Sequence, residues 1–135
     1  MIKLFIVDDH VLIREGIKDV IDEAEDIQIV GEAATGEELL GQLNSTDANM
    51  IILDLSMPGM GGKETLLELM DKKPSLPIVF FSMHHDRTMA DQLLDIGAAG
   101  YITKDTDIND IVDIIRRIHC GEIYISPTTS FDFDF

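Results

Sequence analysis

Five short apolar runs, separated by longer segments of helical period, constrain the fold of this 135-residue chain more than any other feature. The runs are Ile2–Val7, Ile27–Ala34, Met50–Leu53, Pro77–Phe81 and Ala99–Ile102. The first, third and fourth are apolar almost throughout, as parallel strands covered on both faces are. The second carries Gln28 and Glu32 and reads as an edge strand. Helical spacing links Leu12/Ile13, Ile17, Val20/Ile21 and Ala24, then Leu39/Leu40 and Leu43, Leu66/Leu67 and Met70, and Met89/Ala90 and Leu93/Leu94. Ile108, Ile111/Val112, Ile115 and Ile118 form the cleanest amphipathic stripe. Gly97 is placed to stop the fourth helix, and Thr106-Asp107 to cap the fifth.

A β-α unit repeated five times predicts an α/β fold: a five-stranded parallel sheet, doubly wound (βα)5, with right-handed crossovers. The length suits one domain, spanning 1–122, with 123–135 a linker or disordered tail. Ser126-Pro127-Thr128-Thr129-Ser130 reads as the start of that linker, and an extended Phe131-Asp132-Phe133-Asp134-Phe135 would place three rings on one face.

Charge excludes several functions. Twenty-six acidic against ten basic residues give −16, a poor match to nucleic-acid phosphates or anionic lipid. One cysteine, Cys120, permits neither an internal disulfide nor a Cys-rich metal site, and it is expected to be partly buried and inert. The apolar start is interrupted at Asp8, too soon for a signal peptide, and no run approaches a membrane span. The expectation is a cytoplasmic protein.

Ligands in such sheets bind beyond the carboxyl ends of the strands. Those ends carry Asp8-Asp9, Asp54, Ser82 and Thr103-Lys104. Three carboxylates on one rim repel one another unless a cation lies among them, and hard oxygen ligands suit magnesium. Asp8 and Asp9 would hold the metal with Asp54 facing it as a nucleophile toward phosphorus. Lys104 offers an ammonium, and Ser82 a hydroxyl, to the phosphoryl oxygens. Any one acid could be a solvated loop residue, and Asp9 could simply cap the helix starting near Val11. Specificity lies in the constellation.

The runs Val7-Asp8-Asp9-His10, Leu53-Asp54-Leu55-Ser56-Met57-Pro58-Gly59, Phe81-Ser82 and Gly100-Tyr101-Ile102-Thr103-Lys104 resemble the receiver domain of two-component response regulators, the CheY-like, flavodoxin-like fold. Asp8-Asp9-His10 with Arg14 and Gly16, then Val30-Gly31-Glu32-Ala33, is similar to the NarL/FixJ branch. The resemblance covers Met1 to about Gly121. It implies a phosphorelay protein in which Asp54 accepts a phosphoryl group from a sensor histidine kinase. Asp8 or Asp9, Asp54 and the Ser56 backbone carbonyl would hold magnesium, Asp9 directly and Asp8 partly through water. Ser82 and Tyr101 would be the switch pair, and Lys104 would bind the phosphate. Phosphotransfer and dephosphorylation would be self-catalysed, so the chain would be a phosphoacceptor rather than an enzyme. Output would run through a changed association surface, such as a receiver homodimer, to transcription. Receivers of this branch normally precede a helix-turn-helix DNA-binding domain, so a fragment or a stand-alone receiver is implied, with no nucleic-acid contact by this chain itself. Many receivers follow the lysine with a cis proline; here Asp105 stands in that place.

Two alternatives share the architecture or the chemistry. A magnesium-dependent phosphatase acting through an aspartyl phosphate, of the haloacid-dehalogenase type, needs a second Asp two residues after the nucleophile, where Ser56 stands. A receiver-fold scaffold that is never phosphorylated would typically lack the acid pair, the acceptor or the lysine. A flavodoxin-like cofactor module fails on charge, because Asp8-Asp9 would repel its phosphate.

Other residues carry less. Met83 and His84 are expected to flank and partly screen the phosphoryl site. His84-His85 reads as solvent-facing rather than metal-binding, and His10 and His119 as isolated, His119 complementing a helix dipole. Gly59-Met60-Gly61-Gly62 is a turn into a helix without the Lys-Ser/Thr of a P-loop.

Overall fold

A computed structural model describes residues 1–57, 59–127 and 129–130. Pro58 and the Phe131–Phe135 tail therefore lie outside the described residues. The elements alternate β1 (Ile2–Val7), α1 (Val11–Asp22), β2 (Ile27–Ala33), α2 (Gly36–Gln42), β3 (Met50–Asp54), α3 (Gly62–Lys72), β4 (Ile78–Ser82), α4 (Arg87–Ile96), β5 (Gly100–Thr103), α5 (Ile108–His119) and β6 (Tyr124–Ile125). All the strand pairings are parallel, in the order β2-β1-β3-β4-β5-β6.

The expected count of five strands is corrected to six. Tyr124 and Ile125 pair with Gly100 and Tyr101, inside the segment read as linker. A two-residue strand is too short to show a period, and the Ser-Pro-Thr run after it masked the signal. The other five match the predicted runs to within a residue at each end, and β2 is an edge as its polar residues require.

Each buried strand feeds two cores because successive side chains point to opposite faces. On β1, Leu4 and Ile6 join Ile17, Ile21, Ile111, Ile115 and Ile118 under α1 and α5. Phe5 and Val7 join Leu39, Leu66, Leu69, Ala90 and Leu93 under α2, α3 and α4. Each such aliphatic side chain contributes about 1.5–3 kcal/mol by leaving water, so this three-layer arrangement holds the strand ends in a fixed register.

Local chemistry sets the helix ends. Asp86 and Asp107 cap α4 and α5, accepting from Met89 N at 3.1 Å and Asn109 N at 3.0 Å. Gly97 ends α4 at φ 138°, a conformation that L side chains rarely adopt. Asp9 does not cap α1; the N-cap residue is His10. Cys120 is exposed, which corrects the expectation of partial burial. It falls two residues beyond Ile118, about 200° around the helix from the buried stripe.

Candidate functional site

The order β2-β1-β3 makes the chain reverse direction across the sheet between β1 and β3. The carboxyl ends of those two neighbours therefore open a crevice, into which Asp8-Asp9 and Asp54 project. Asp54 is the last residue of β3 and Ser82 the last of β4; Lys104 follows β5 directly. The register Asp54↔Phe81 and Ser82↔Thr103 sets these ends along one rim.

Asp54 is 2% exposed and Asp8 1%, both among the few buried polar residues. The Lys104 ammonium lies 3.1 Å from Asp8 Oδ2 and 3.3 Å from Asp54 Oδ1, itself almost fully buried. Its Nζ is also 5.9 Å from the centre of the Phe81 ring. Ser56 N donates to Asp54 Oδ1 at 3.2 Å and fixes the carboxylate plane. Burial, then the charge of Asp8, pushes the Asp54 carboxyl up to about 6, with Lys104 pulling the other way.

His10 belongs to this cluster and is not isolated, which corrects the reading of the sequence. Its Nδ1 lies 3.0 Å from Asp8 Oδ1, 3.2 Å from Asp9 Oδ1 and 3.8 Å from Asp54 Oδ2. His10 N also donates to Asp8 Oδ1 at 2.8 Å. The signal was available, since adjacency to the acid pair at a strand end brings the ring to the same rim. Arg14 was also passed over as a site residue; its guanidinium donates to the Asp8 main-chain carbonyl, and Nε lies 3.4 Å from Glu32. One helical turn separates Arg14 from His10, so the first turn of α1 grips the loop before it.

The donor set fits a hard divalent cation. Asp8, Asp9, His10 and Asp54 each offer a ligand atom within 4.8 Å of the others. Asp54 Oδ2 is buried and accepts no hydrogen bond from the described residues, so an acceptor faces the cluster unsatisfied. Asp9 is the more open of the pair, its side chain 32% exposed. Asp8, by contrast, is locked between Lys104 and His10.

Ser82 and Tyr101 are both buried. Ser82 Oγ accepts from His84 N at 3.0 Å, while the Tyr101 hydroxyl donates to His84 O at 2.8 Å. Burial raises the Tyr101 phenol above its ordinary range. Met83, His84 and His85 are exposed beside the rim, and His85 Nε2 lies 2.9 Å from Asp105 Oδ2. No described peptide bond is cis, Lys104–Asp105 included.

The receiver-domain model of response regulators matches residues 4–116, most of the chain. The chain belongs to the response-regulator receiver family. Among curated relatives, the response regulator GacA of Pseudomonas protegens is 36% identical over 94% of this chain. The response regulator UvrY of Escherichia coli K12 is 31% identical over 93%. The chain spans about 60% of the length of these relatives (60% and 58%). Among solved structures, the isolated receiver domain of RcsB from Salmonella enterica serovar Typhimurium, studied with phosphomimetic BeF3-, superposes with a TM-score of 0.87 at 25% identity, covering 95% of each chain. A LuxR-family response regulator from Aurantimonas superposes with the same TM-score at 31% identity, covering 93% of this chain and 89% of that one. These relatives and neighbours are response regulators of the NarL/FixJ type, and this receiver falls in that branch.

Receivers are phosphoacceptors of two-component signalling rather than enzymes with a separate substrate, and they bind magnesium in an acidic pocket. In this receiver Asp8, Asp9, His10 and Asp54 form an acidic cluster whose ligand atoms are close enough to hold a metal ion. Among the described residues no helix is long and apolar enough to cross a membrane.

Proposed function

We propose that Asp54 accepts a phosphoryl group from a phosphohistidine of a sensor histidine kinase in the cytoplasm, and that the modified receiver presents a changed surface to a transcription output. The observation that carries this reading is the buried Lys104 ammonium spanning Asp8 and Asp54. A cation held against two acids at a strand-end crevice is placed to receive phosphoryl oxygens as well.

In the transfer, an Asp54 carboxylate oxygen forms the new O–P bond as the P–N bond of the phosphohistidine breaks. The electron pair of that bond stays on the imidazole nitrogen, which takes a proton. Asp8, Asp9, Asp54 and the Ser56 main-chain carbonyl would hold magnesium, which when bound neutralises charge on the transferring oxygens. Ser56 N keeps the Asp54 carboxylate oriented, Lys104 pairs with the phosphoryl oxygens, and Ser82 donates its hydroxyl to one of them. Water attack on phosphorus then returns inorganic phosphate and the free carboxylate without a second enzyme. Met83 and His84, exposed beside the rim, limit how water reaches it.

Exchanging a carboxylate for an acyl phosphate adds oxygens that draw Ser82 and Lys104 inward. Reversing a 1:99 equilibrium needs roughly 5.5 kcal/mol of differential stabilisation, which a few charge-assisted hydrogen bonds supply. A receiver homodimer is the surface change proposed, with a helix-turn-helix domain of a longer parent protein as the DNA-binding partner. Fluorine NMR of beryllofluoride with this protein tests the site. A magnesium-dependent bound signal, lost in Asp54→Asn and in Lys104→Ala, is expected. A bound signal that survives Asp54→Asn contradicts the assignment.

A further inference from the structure

After α5 the chain turns at Gly121, φ 104°, and runs back along the outer edge of β5. Tyr124 N donates to Ala99 O at 3.2 Å and Ser126 N to Tyr101 O at 2.9 Å. Ser126 then takes over with its side chain: Oγ accepts from Thr103 N at 3.0 Å, one residue before Lys104, and the residue is 1% exposed. Thr129 N and Oγ1 close a turn on Ser126 O at 3.1 and 2.8 Å. That turn delivers Ser130 to the β4–α4 loop, where Ser130 N donates to His85 O at 2.8 Å and Ser130 O accepts from Arg87 N at 3.0 Å.

The chain is thus fastened twice, and the two fastenings differ in kind. Ser126 is fixed to β5, a buried strand flanked by β4. Among the described residues Ser130 bonds to the exposed β4–α4 loop and the start of α4, and that loop is held by the switch pair at His84 and by Asp105 at His85. His84, the neighbour of His85, donates its N–H to Ser82 Oγ and accepts the Tyr101 hydroxyl at its carbonyl. One hydrogen bond ties His84 to the Ser82 hydroxyl, and two more tie its chain neighbours His85 and Arg87 to Ser130.

We propose that the β4–α4 loop is a docking surface for this chain's own segment at Ser130, occupied while Ser82 faces His84 and vacated when Ser82 turns to a phosphoryl group on Asp54. Ser126 is the hinge that stays attached. The proposal rests on Asp54 phosphorylation for its trigger. Loss of the Ser82 acceptor leaves His84 N without its partner, so the loop carrying His85 O and Arg87 N no longer keeps the spacing that the two Ser130 bonds require. Phosphorylation would then be read as freedom of the chain beyond Ser126, next to where an output domain would be joined.

Residue-resolved amide hydrogen exchange tests this, with and without magnesium and beryllofluoride, with bound beryllofluoride followed by fluorine NMR. In the loaded protein the Ser130 and Arg87 amides are expected to exchange at least tenfold faster, while those of Tyr124 and Ser126 are unchanged. Unchanged Ser130 and Arg87 exchange in protein that has bound beryllofluoride overturns the docking proposal. Failure to bind beryllofluoride instead counts against the Asp54 reading. In that case the double variant Ser82→Ala/Tyr101→Phe decides, since it removes both hydroxyls that hold His84 without any phosphodonor. Tenfold faster exchange confined to Ser130 and Arg87 supports the docking proposal. Unchanged exchange there, or equal loss at Tyr124 and Ser126, overturns it.

Discussion

The Lys104 ammonium lies 3.1 Å from one carboxylate oxygen of Asp8 and 3.3 Å from one of Asp54, joining two acids that are 46 residues apart in sequence and neighbours in the sheet. Three buried charges of which two are alike hold together because β5, β1 and β3 deliver them to one rim, and because the cation is shared. The sheet itself therefore positions the three charged side chains of the site.

Removing that cation leaves two buried like charges facing each other. Breaking a buried ion pair from one side typically costs about 3–5 kcal/mol. Lys104→Met is expected to lose stability on this scale at neutral pH in chelator, measured by urea unfolding, and to recover much of it with magnesium. A loss that magnesium does not reduce would place the ammonium outside the metal's electrostatic reach.

Asp54 gives the site a pH dependence of definite sign. Its carboxyl titrates near 6 in the folded protein against an ordinary 3.8, so between those values the native state keeps a proton that the unfolded chain releases. Stability linked to this group is thus present below about pH 4 and is lost as pH rises through 6. In chelator, the stability of the wild type relative to Asp54→Asn should fall between pH 4 and 7 by up to about 3 kcal/mol, then level off. Magnesium should oppose that fall above pH 6. Parallel stability profiles for the two proteins would show that Asp54 ionises without penalty.

The loop after Asp54 depends on a glycine. A Cβ on Gly62 would stand 2.8 Å from Leu55 Cα, 2.9 Å from Asp54 O and 2.9 Å from Phe80 Cε1. Two of these neighbours are backbone atoms, which cannot swing away. Gly62→Ala is expected to cost about 1–3 kcal/mol through overpacking and to slow Asp54 phosphorylation by shifting the main chain on either side of it. Gly61→Ala, where a Cβ meets nothing within 4 Å, is the control expected to leave both unchanged.

What was legible in the sequence was whatever repeats or stacks. Runs such as Met50–Leu53 had to be doubly covered, and the residue after each run had to face the crevice, which located Asp8, Asp54, Ser82 and Lys104. What escaped depended on contacts distant in sequence. β6 is two residues whose pairing is specified by the β5 edge and by the Ser126 hydroxyl rather than by any period of its own. His10 is a different case, since its nearest partners, Asp8 and Asp9, adjoin it in sequence and only Asp54 is distant. The burial of Asp8 between Lys104 and His10, beside a more open Asp9, likewise depends on Lys104, far along the chain. Cys120 was misjudged because the helical stripe had already ended at Ile118.

The most direct test of Asp54 as phosphoacceptor is the intact mass of the protein after incubation with acetyl phosphate, with and without magnesium, beside Asp54→Asn. The account predicts a gain of one phosphoryl group that requires magnesium and is absent in the variant. Folded protein that binds magnesium and beryllofluoride but gains no mass at early time points, or an equal gain in Asp54→Asn, would contradict it.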